Sequence, residues 1–140
     1  MEYRRWDDRY IVRVDSGEEI IEQLTLVCKK EKILAGTISG FGGAAVTELG
    51  YVDPDDNKIV KRVVIDEYRE ILSLTGNITA MDFEPFCHVH VVLSDNKLNA
   101  TGGHMYSCVV DEIAEISINS SDIVTRRIFD ENLGLFMLDL

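Results

Sequence analysis

No apolar run in this 140-residue sequence approaches the roughly 18 residues that a membrane-spanning helix needs. Its first stretch, MEYRRWDDRY, is followed by no apolar core of an export signal. The two absences predict a cytoplasmic protein without a membrane partner. Cysteine is scarce as well: Cys28, Cys87 and Cys108 are odd in number, far apart and embedded in apolar segments. That pattern argues against a disulfide framework and for buried thiols in a reducing compartment. Positive charge is the third shortage. Fourteen Lys and Arg stand against 25 Asp and Glu, a formal charge of −11, and the pI is about 4.6, so a phosphate backbone meets net repulsion. The basic residues fall into short groups, Arg4/Arg5, Lys29/Lys30 with Lys32, Lys61/Arg62 and Arg126/Arg127, which read as solvated surface. DNA is therefore a disfavoured partner.

What is present is an ordinary globular composition, 46% hydrophobic and 28% charged, with too many apolar residues for disorder. No repeat, linker or low-complexity segment breaks it, so residues 1–140 are expected to form a single domain. Arg9 to Val14 alternates polar and apolar residues and predicts a strand that stops at Asp15-Ser16-Gly17. Ser16 and Glu19 have capping-box spacing, and Ile20, Ile21, Leu24, Val27 and Cys28 recur at helical intervals, which predicts an amphipathic helix over 17–31. Strands are expected at 33–39, 44–52, 58–65, 70–79, 86–94, 103–110 and 115–118. Gly40-Phe41-Gly42-Gly43 marks a bend between the first two; it lacks the Lys and Ser/Thr of a phosphate loop. Asp53-Pro54-Asp55-Asp56-Asn57 predicts a hairpin turn, and a mostly apolar tail runs from 128 to 140. One strong helical signal and many strands joined by short turns give an α+β domain with a mainly antiparallel sheet. Tyr3 and Trp6 are expected at a subunit interface.

The three histidines of the chain all lie between 88 and 104. In Phe86-Cys87-His88-Val89-His90-Val91-Val92-Leu93, strand period 2 puts Cys87, Val89, Val91 and Leu93 on one face and His88 and His90 on the other. If the next strand returns symmetrically about Lys97, His90 pairs with His104 and His88 with Tyr106. All three imidazoles then share a face within reach of one metal with nitrogen bonds near ~2 Å. His88, His90 and His104 are the metal candidates. Zinc is the leading expectation because three neutral imidazoles with an open position suit it; iron, nickel and copper accept the same ligands. Cys108 falls on the His104 face two pairs farther along and ranks well below the histidines. Glu67, Glu70, Asp111, Glu112 and Glu115 are candidate supporting carboxylates that nothing in the sequence places beside the imidazoles. Ser39, Ser73 and Ser107 lie in no nucleophile elbow.

Several segments together resemble the plant and prokaryote conserved domain, or PPC domain, in its stand-alone prokaryotic form. They are Gly17-Glu18-Glu19-Ile20, the run Ala35 to Ala44 (AGTISGFGGA), the run Glu70 to Ile78 (EILSLTGNI), His88-Val89-His90 and Gly102-Gly103-His104. The resemblance covers nearly the whole chain. It implies a central, mainly antiparallel sheet with flanking helices, a homotrimer, and a metal site whose ligands correspond to His88, His90 and His104. Plant members carry AT-hook peptides that bind A·T-rich DNA, and prokaryotic relatives share the DNA-binding label. This sequence has no Arg-Gly-Arg-Pro hook. Where the plant partner-contact motif reads Gly-Arg-Phe-Glu-Ile-Leu, this chain reads Tyr68-Arg69-Glu70-Ile71-Leu72, without the Phe. The leading expectation is a trimeric module binding one divalent ion per chain, serving either recognition of a small-molecule ligand or a hydrolytic reaction that the sequence does not define. A DNA-associated or protein-interaction module and a metal-dependent hydrolase are the alternatives.

Overall fold

The structure, a computed structural model, describes residues 1–52 and 60–140. It opens with a hairpin of β1 (Glu2–Trp6) and β2 (Arg9–Asp15). In β2, Tyr10, Val12 and Val14 are buried while Arg9, Ile11 and Arg13 are exposed, the alternation expected over 9–14. The sequence EYRRW of β1 carries no such alternation, because β1 is an edge strand with four of its five residues in water. Tyr3 packs on the core and its hydroxyl donates to Glu31 at 2.7 Å, whereas Trp6 is 80% exposed.

Helix α1 spans Ile20–Glu31, three residues shorter at its start than the periodicity predicts, and Glu19 rather than Ser16 is its N-cap. The Glu19 carboxylate accepts the Glu22 amide at 2.7 Å. The physical reason is a backbone tie: the Gly17 amide donates to the Val110 carbonyl, and the Val110 amide to the Glu18 carbonyl, both at 2.9 Å. Residues 17 and 18 are committed to a strand neighbour, so helical bonding begins only beyond them. Lys32 ends the helix in the left-handed region at φ 58°, its amide turned back to the Cys28 and Lys29 carbonyls. The buried stripe is Ile20, Leu24, Val27 and Cys28.

The remaining elements are β3 (Gly36–Val52), β4 (Val60–Met81), β5 (Glu84–Ser94), β6 (Ala100–Ser120), β7 (Arg126–Asp130) and β8 (Leu135–Asp139). Segments expected as separate strands are fused. The bend at Gly40–Gly43 is a pair of register shifts inside one strand, between Gly40 and Gly42 and between Ala44 and Val46, so β3 continues through its glycines. The hairpin turn expected at 53–57, and the start of the following strand at 58, lie outside the described residues; β3 and β4 pair antiparallel on either side, down to Val52 opposite Val60. Among the described residues α1 is the only helix, a correction to the flanking helices that the resemblance implies: no second segment has helical periodicity. Nor is any described helix long and apolar enough to cross a membrane.

Pairing runs β1-β2-β6-β3-β4-β7-β8, with β5 joined to both β4 and β6. All of it is antiparallel except one bridge between β4 and β7, Ala80 opposite Arg126. Because β3 pairs with β4 and β6, and β5 pairs with the same two strands, four strands close on themselves and the sheet curls. Helix α1 covers the face that carries Val89, Val91 and Leu93 of β5 with Ile116 and Ile118 of β6, all buried. Each such side chain removed from water contributes ~1.5–3 kcal/mol. The opposite face of β5 is left open, and the histidines stand there.

Candidate metal centre

The register set by the 95–99 turn builds the site. Asp95 Oδ1 accepts the amides of Lys97 and Asn99 at 2.8 and 2.9 Å, and Leu98 takes a left-handed φ of 64°, so the chain reverses tightly about Lys97. His90 therefore falls opposite His104, as the symmetry of the sequence predicts. The expected partner of His88 does not follow. The β5–β6 ladder ends at the His90–His104 pair, and His88 pairs with Asn77 of β4 instead. At His104, β6 passes from β5 to β3 and pairs with Gly50 as well.

Backbones approach closely here. A Cβ built on Gly76 would collide with the His88 carbonyl, and one on Gly103 would lie 2.8 Å from the Gly50 carbonyl. Glycine at these positions lets β4, β5, β6 and β3 converge around the imidazoles.

His88 and His104 are partly buried, and His90 is exposed. One ligand nitrogen from each ring lies within 4.8 Å of the others. Ring centroids are 5.2 Å apart for His88 and His90, 4.9 Å for His88 and His104, and 5.3 Å for His90 and His104. His88 Nε2 and His104 Nδ1 are 3.1 Å apart. Two nitrogens bound to one tetrahedral zinc at 2.0–2.1 Å stand about 3.3 Å apart, so this pair is already spaced as ligands would be. Burial first, and then the nearby charge of Arg127 and the other two rings, pushes His88 down to about 4. Burial, then His90, Arg62 and Arg127, lowers His104. Both rings are neutral near pH 7, the charge state that coordinates metal. The donor set fits a borderline metal such as zinc.

Around the rings lies a cavity of about 640 Å³ whose walls include Gly50, Tyr51, Phe86, Tyr106, Arg127 and Phe136. Arg127 is the residue that sequence reasoning misses. Its pairing with Arg126 in the sequence reads as solvated surface, and Arg126 is indeed exposed, but Arg127 is partly buried. The Ala80–Arg126 bridge brings β7 beside β4, and Arg127 then donates from Nε to Thr79 Oγ1 at 2.9 Å, from Nη2 to Asn77 Oδ1 at 3.0 Å and from Nη1 to the Phe136 carbonyl at 3.2 Å. Nη2 also lies 3.0 Å from His88 Nδ1. A guanidinium only donates, so Nδ1 accepts and the His88 proton sits on Nε2, directed at His104 Nδ1. Arg62 stacks over Tyr106 with its guanidinium carbon 3.7 Å from the ring centre, and Tyr106 meets His104 edge to face at 4.7 Å.

Cys108 is not beside the rings. β6 holds one extra residue opposite Glu48–Leu49, since Glu48 pairs with Ser107 and Leu49 with Met105. This bulge at Tyr106 reverses the alternation, so Cys108 turns into the core, where burial raises its thiol to about 11. The candidate carboxylates lie elsewhere: Glu70 accepts the Tyr68 hydroxyl at 2.9 Å, Glu67 pairs with Arg69, and Asp111 accepts the Glu112 amide at 2.9 Å.

Among solved structures the chain is similar to a candidate DNA-binding protein of Bacteroides thetaiotaomicron, at 28% identity and TM-score 0.94, over 99% of this chain and 96% of that one. It is similar to a metal-containing protein of Archaeoglobus fulgidus at 31% identity and TM-score 0.87, covering 99% and 97% of the two chains. A plant- and prokaryote-conserved (PPC) protein of Pyrococcus horikoshii matches at 30% identity and TM-score 0.86, over 99% and 94%. No curated protein matches significantly. The model of the Plants and Prokaryotes Conserved (PCC) domain matches residues 1–122, and the chain belongs to that family.

Proposed function

We propose that this protein is a homotrimeric metal-binding module in which His88, His90 and His104 hold one divalent ion per chain, zinc in the first place. The observation that carries the proposal is the convergence of three imidazoles, two of them neutral and 3.1 Å apart nitrogen to nitrogen, at the wall of a cavity. The Archaeoglobus relative, described as metal-containing, supports it. When bound, the ion supplies an electrophilic position facing the cavity. Among the described residues no carboxylate lines that cavity, which supports ligand recognition over hydrolysis as its use. Residues 1–140 act as one domain, since β7 and β8 continue the sheet of the family-matched segment. Trimer formation is supported by Val63, Val64 and Leu72 of β4 and Ile128 and Phe129 of the β7–β8 hairpin, all exposed, which a partner subunit would cover.

Metal content per chain, measured by plasma mass spectrometry on protein purified without an affinity tag, tests the proposal. About one zinc per wild-type chain and none in His104→Ala is the expected result. Absence of metal from both after reconstitution with zinc, iron and nickel would overturn it. Light scattering is expected to give three times the 15.8 kDa chain mass.

A second reading, DNA association, draws on the description of the Bacteroides relative and on one local feature. The β1–β2 hairpin gathers Arg4, Arg5, Arg9 and Trp6 around a cavity of about 880 Å³. The net charge of −11 opposes it. Duplex DNA is expected not to bind at physiological salt; a complex that weakens steeply as salt rises would reinstate this reading.

A further inference from the structure

The cation that the sequence hides defines what the cavity takes. Arg127 is held by three neutral acceptors, Thr79 Oγ1, Asn77 Oδ1 and the Phe136 carbonyl, and stacks on Phe86 with 5.2 Å between guanidinium carbon and ring centre. Among the described residues no carboxylate pairs with it. A partly buried guanidinium is usually paired, because its desolvation is otherwise uncompensated. Here it stands at a cavity wall beside three imidazoles, in a protein whose net charge is −11.

The hydrogen bonds between Arg127 and His88 lead to the same end. With the guanidinium donating to His88 Nδ1 at 3.0 Å, the ring cannot offer Nε2 to a metal as a neutral ligand. Coordination through Nε2 needs the proton on Nδ1, and Nδ1–H would then face an Arg127 N–H, donor against donor. A metal held through His88 Nε2 would leave one Arg127 N–H without His88 as its acceptor and facing the cavity. That N–H requires an acceptor, and a bound ion beside it adds a second positive charge.

We propose that the cavity binds a small organic carboxylate, one oxygen facing the metal position and the other accepting from Arg127. The inference rests on the metal reading above. Carboxylate is favoured over phosphate because, among the described residues, Arg127 is the one guanidinium that lines the space, which satisfies a monoanion and leaves a dianion short of donors. An organic body is favoured because Phe86, Phe136, Leu135, Tyr51 and Val52 make the rest of the wall apolar. The selecting residue comes from β7, outside the segment that the family model matches.

Calorimetric titration of zinc-loaded protein with benzoate, and separately with inorganic phosphate, tests this on wild type, Arg127→Gln and Arg127→Lys. Benzoate is expected to saturate wild type below about 10 mM, and Arg127→Gln to weaken it roughly ten- to hundredfold, the size of a lost charge-assisted hydrogen bond. Zinc content of both variants is expected to stay near one per chain, and the Lys variant to recover part of the affinity because it keeps the charge but not the fork. Unchanged thermal melting separates this effect from misfolding. Equal benzoate affinity in wild type and Arg127→Gln would overturn the proposal, as would phosphate binding more tightly than benzoate. If zinc itself fails to bind, the metal reading falls first; benzoate that still binds wild type and not Arg127→Gln would then keep the carboxylate site without the ion.

Discussion

Neighbouring residues of β5 live in different chemical settings. Val89, Val91 and Leu93 lie under α1, at 0 to 2% exposure, within the apolar core. His88, His90 and Val92, one residue along in each case, look outward onto glycine-lined backbone and a largely apolar cavity. The first face holds the sheet to the helix mainly by apolar burial, and it tolerates polar groups badly. The second contributes little burial and keeps its titratable groups reachable. A strand whose period is 2 separates stability from binding within a few ångströms, so substitutions on β5 are expected to act on one or the other.

The largest contrast should come from two adjacent positions. Leu93→Ala removes a fully buried side chain and is expected to cost about 2–5 kcal/mol in denaturant unfolding. Val92→Ala, 40% exposed before the change, is expected to cost under about 1 kcal/mol, near the usual range of surface substitutions. Similar losses at both positions would mean that the outer face is covered in the folded assembly, and the division would have to be redrawn around a subunit interface. A smaller effect is expected from Gly76→Ala, on β4 opposite Val89 and between the buried Leu74 and Ile78 of the helix-facing side. The new Cβ meets the His88 carbonyl on the paired strand. Overpacking of this kind costs about 1–3 kcal/mol, and because the displaced carbonyl belongs to a candidate ligand, zinc affinity should fall with stability. Unchanged zinc affinity in a destabilised Gly76→Ala would uncouple the β4–β5 spacing from the site.

Part of this organisation is legible in the sequence. Strand period 2 places Cys87, Val89, Val91 and Leu93 inward, and the turn around Lys97 pairs His90 with His104, because short-range turn chemistry determines register locally. Features decided by distant parts of the chain are not legible there. Ser16 has the spacing of a cap, yet a backbone tie to Val110 overrides it. Cys108 has the parity of a ligand until a bulge opposite Glu48 reverses it. Arg127 lies 39 positions from His88, and the pairing of β7 with β4 brings them together. Local pattern thus reveals which residues share a strand face, and long-range pairing decides what surrounds them.

Acid titration of metal-free protein sharpens the comparison further, with the smallest expected effect. His88 is held at about 4 in the folded chain, mainly by burial, against an ordinary value of 6.5. Between those values the unfolded chain takes up a proton that the folded one refuses, so the unfolded state binds more protons and stability rises with pH. The contribution is complete above pH 6.5 and is lost as pH falls toward 4. His104, lowered in the same direction, adds to it. A tenfold difference in proton affinity between the two states corresponds to about 1.4 kcal/mol. Because the ring is open to the cavity on one side, water screens it, and about 1–2 kcal/mol should be realised over the window. Asp15, Glu18, Glu31 and Asp95, whose carboxyl groups are lowered by hydrogen bonds and ion pairs, act only near and below their ordinary values of 3.8 to 4.5. The interval from pH 6.5 to 5 therefore isolates the imidazoles. Urea unfolding in the presence of a chelator should show a decline across that interval in wild type and a flatter curve in His88→Gln. Identical curves would mean that the ring is fully hydrated, and the outer face of β5 would then hold no sheltered site.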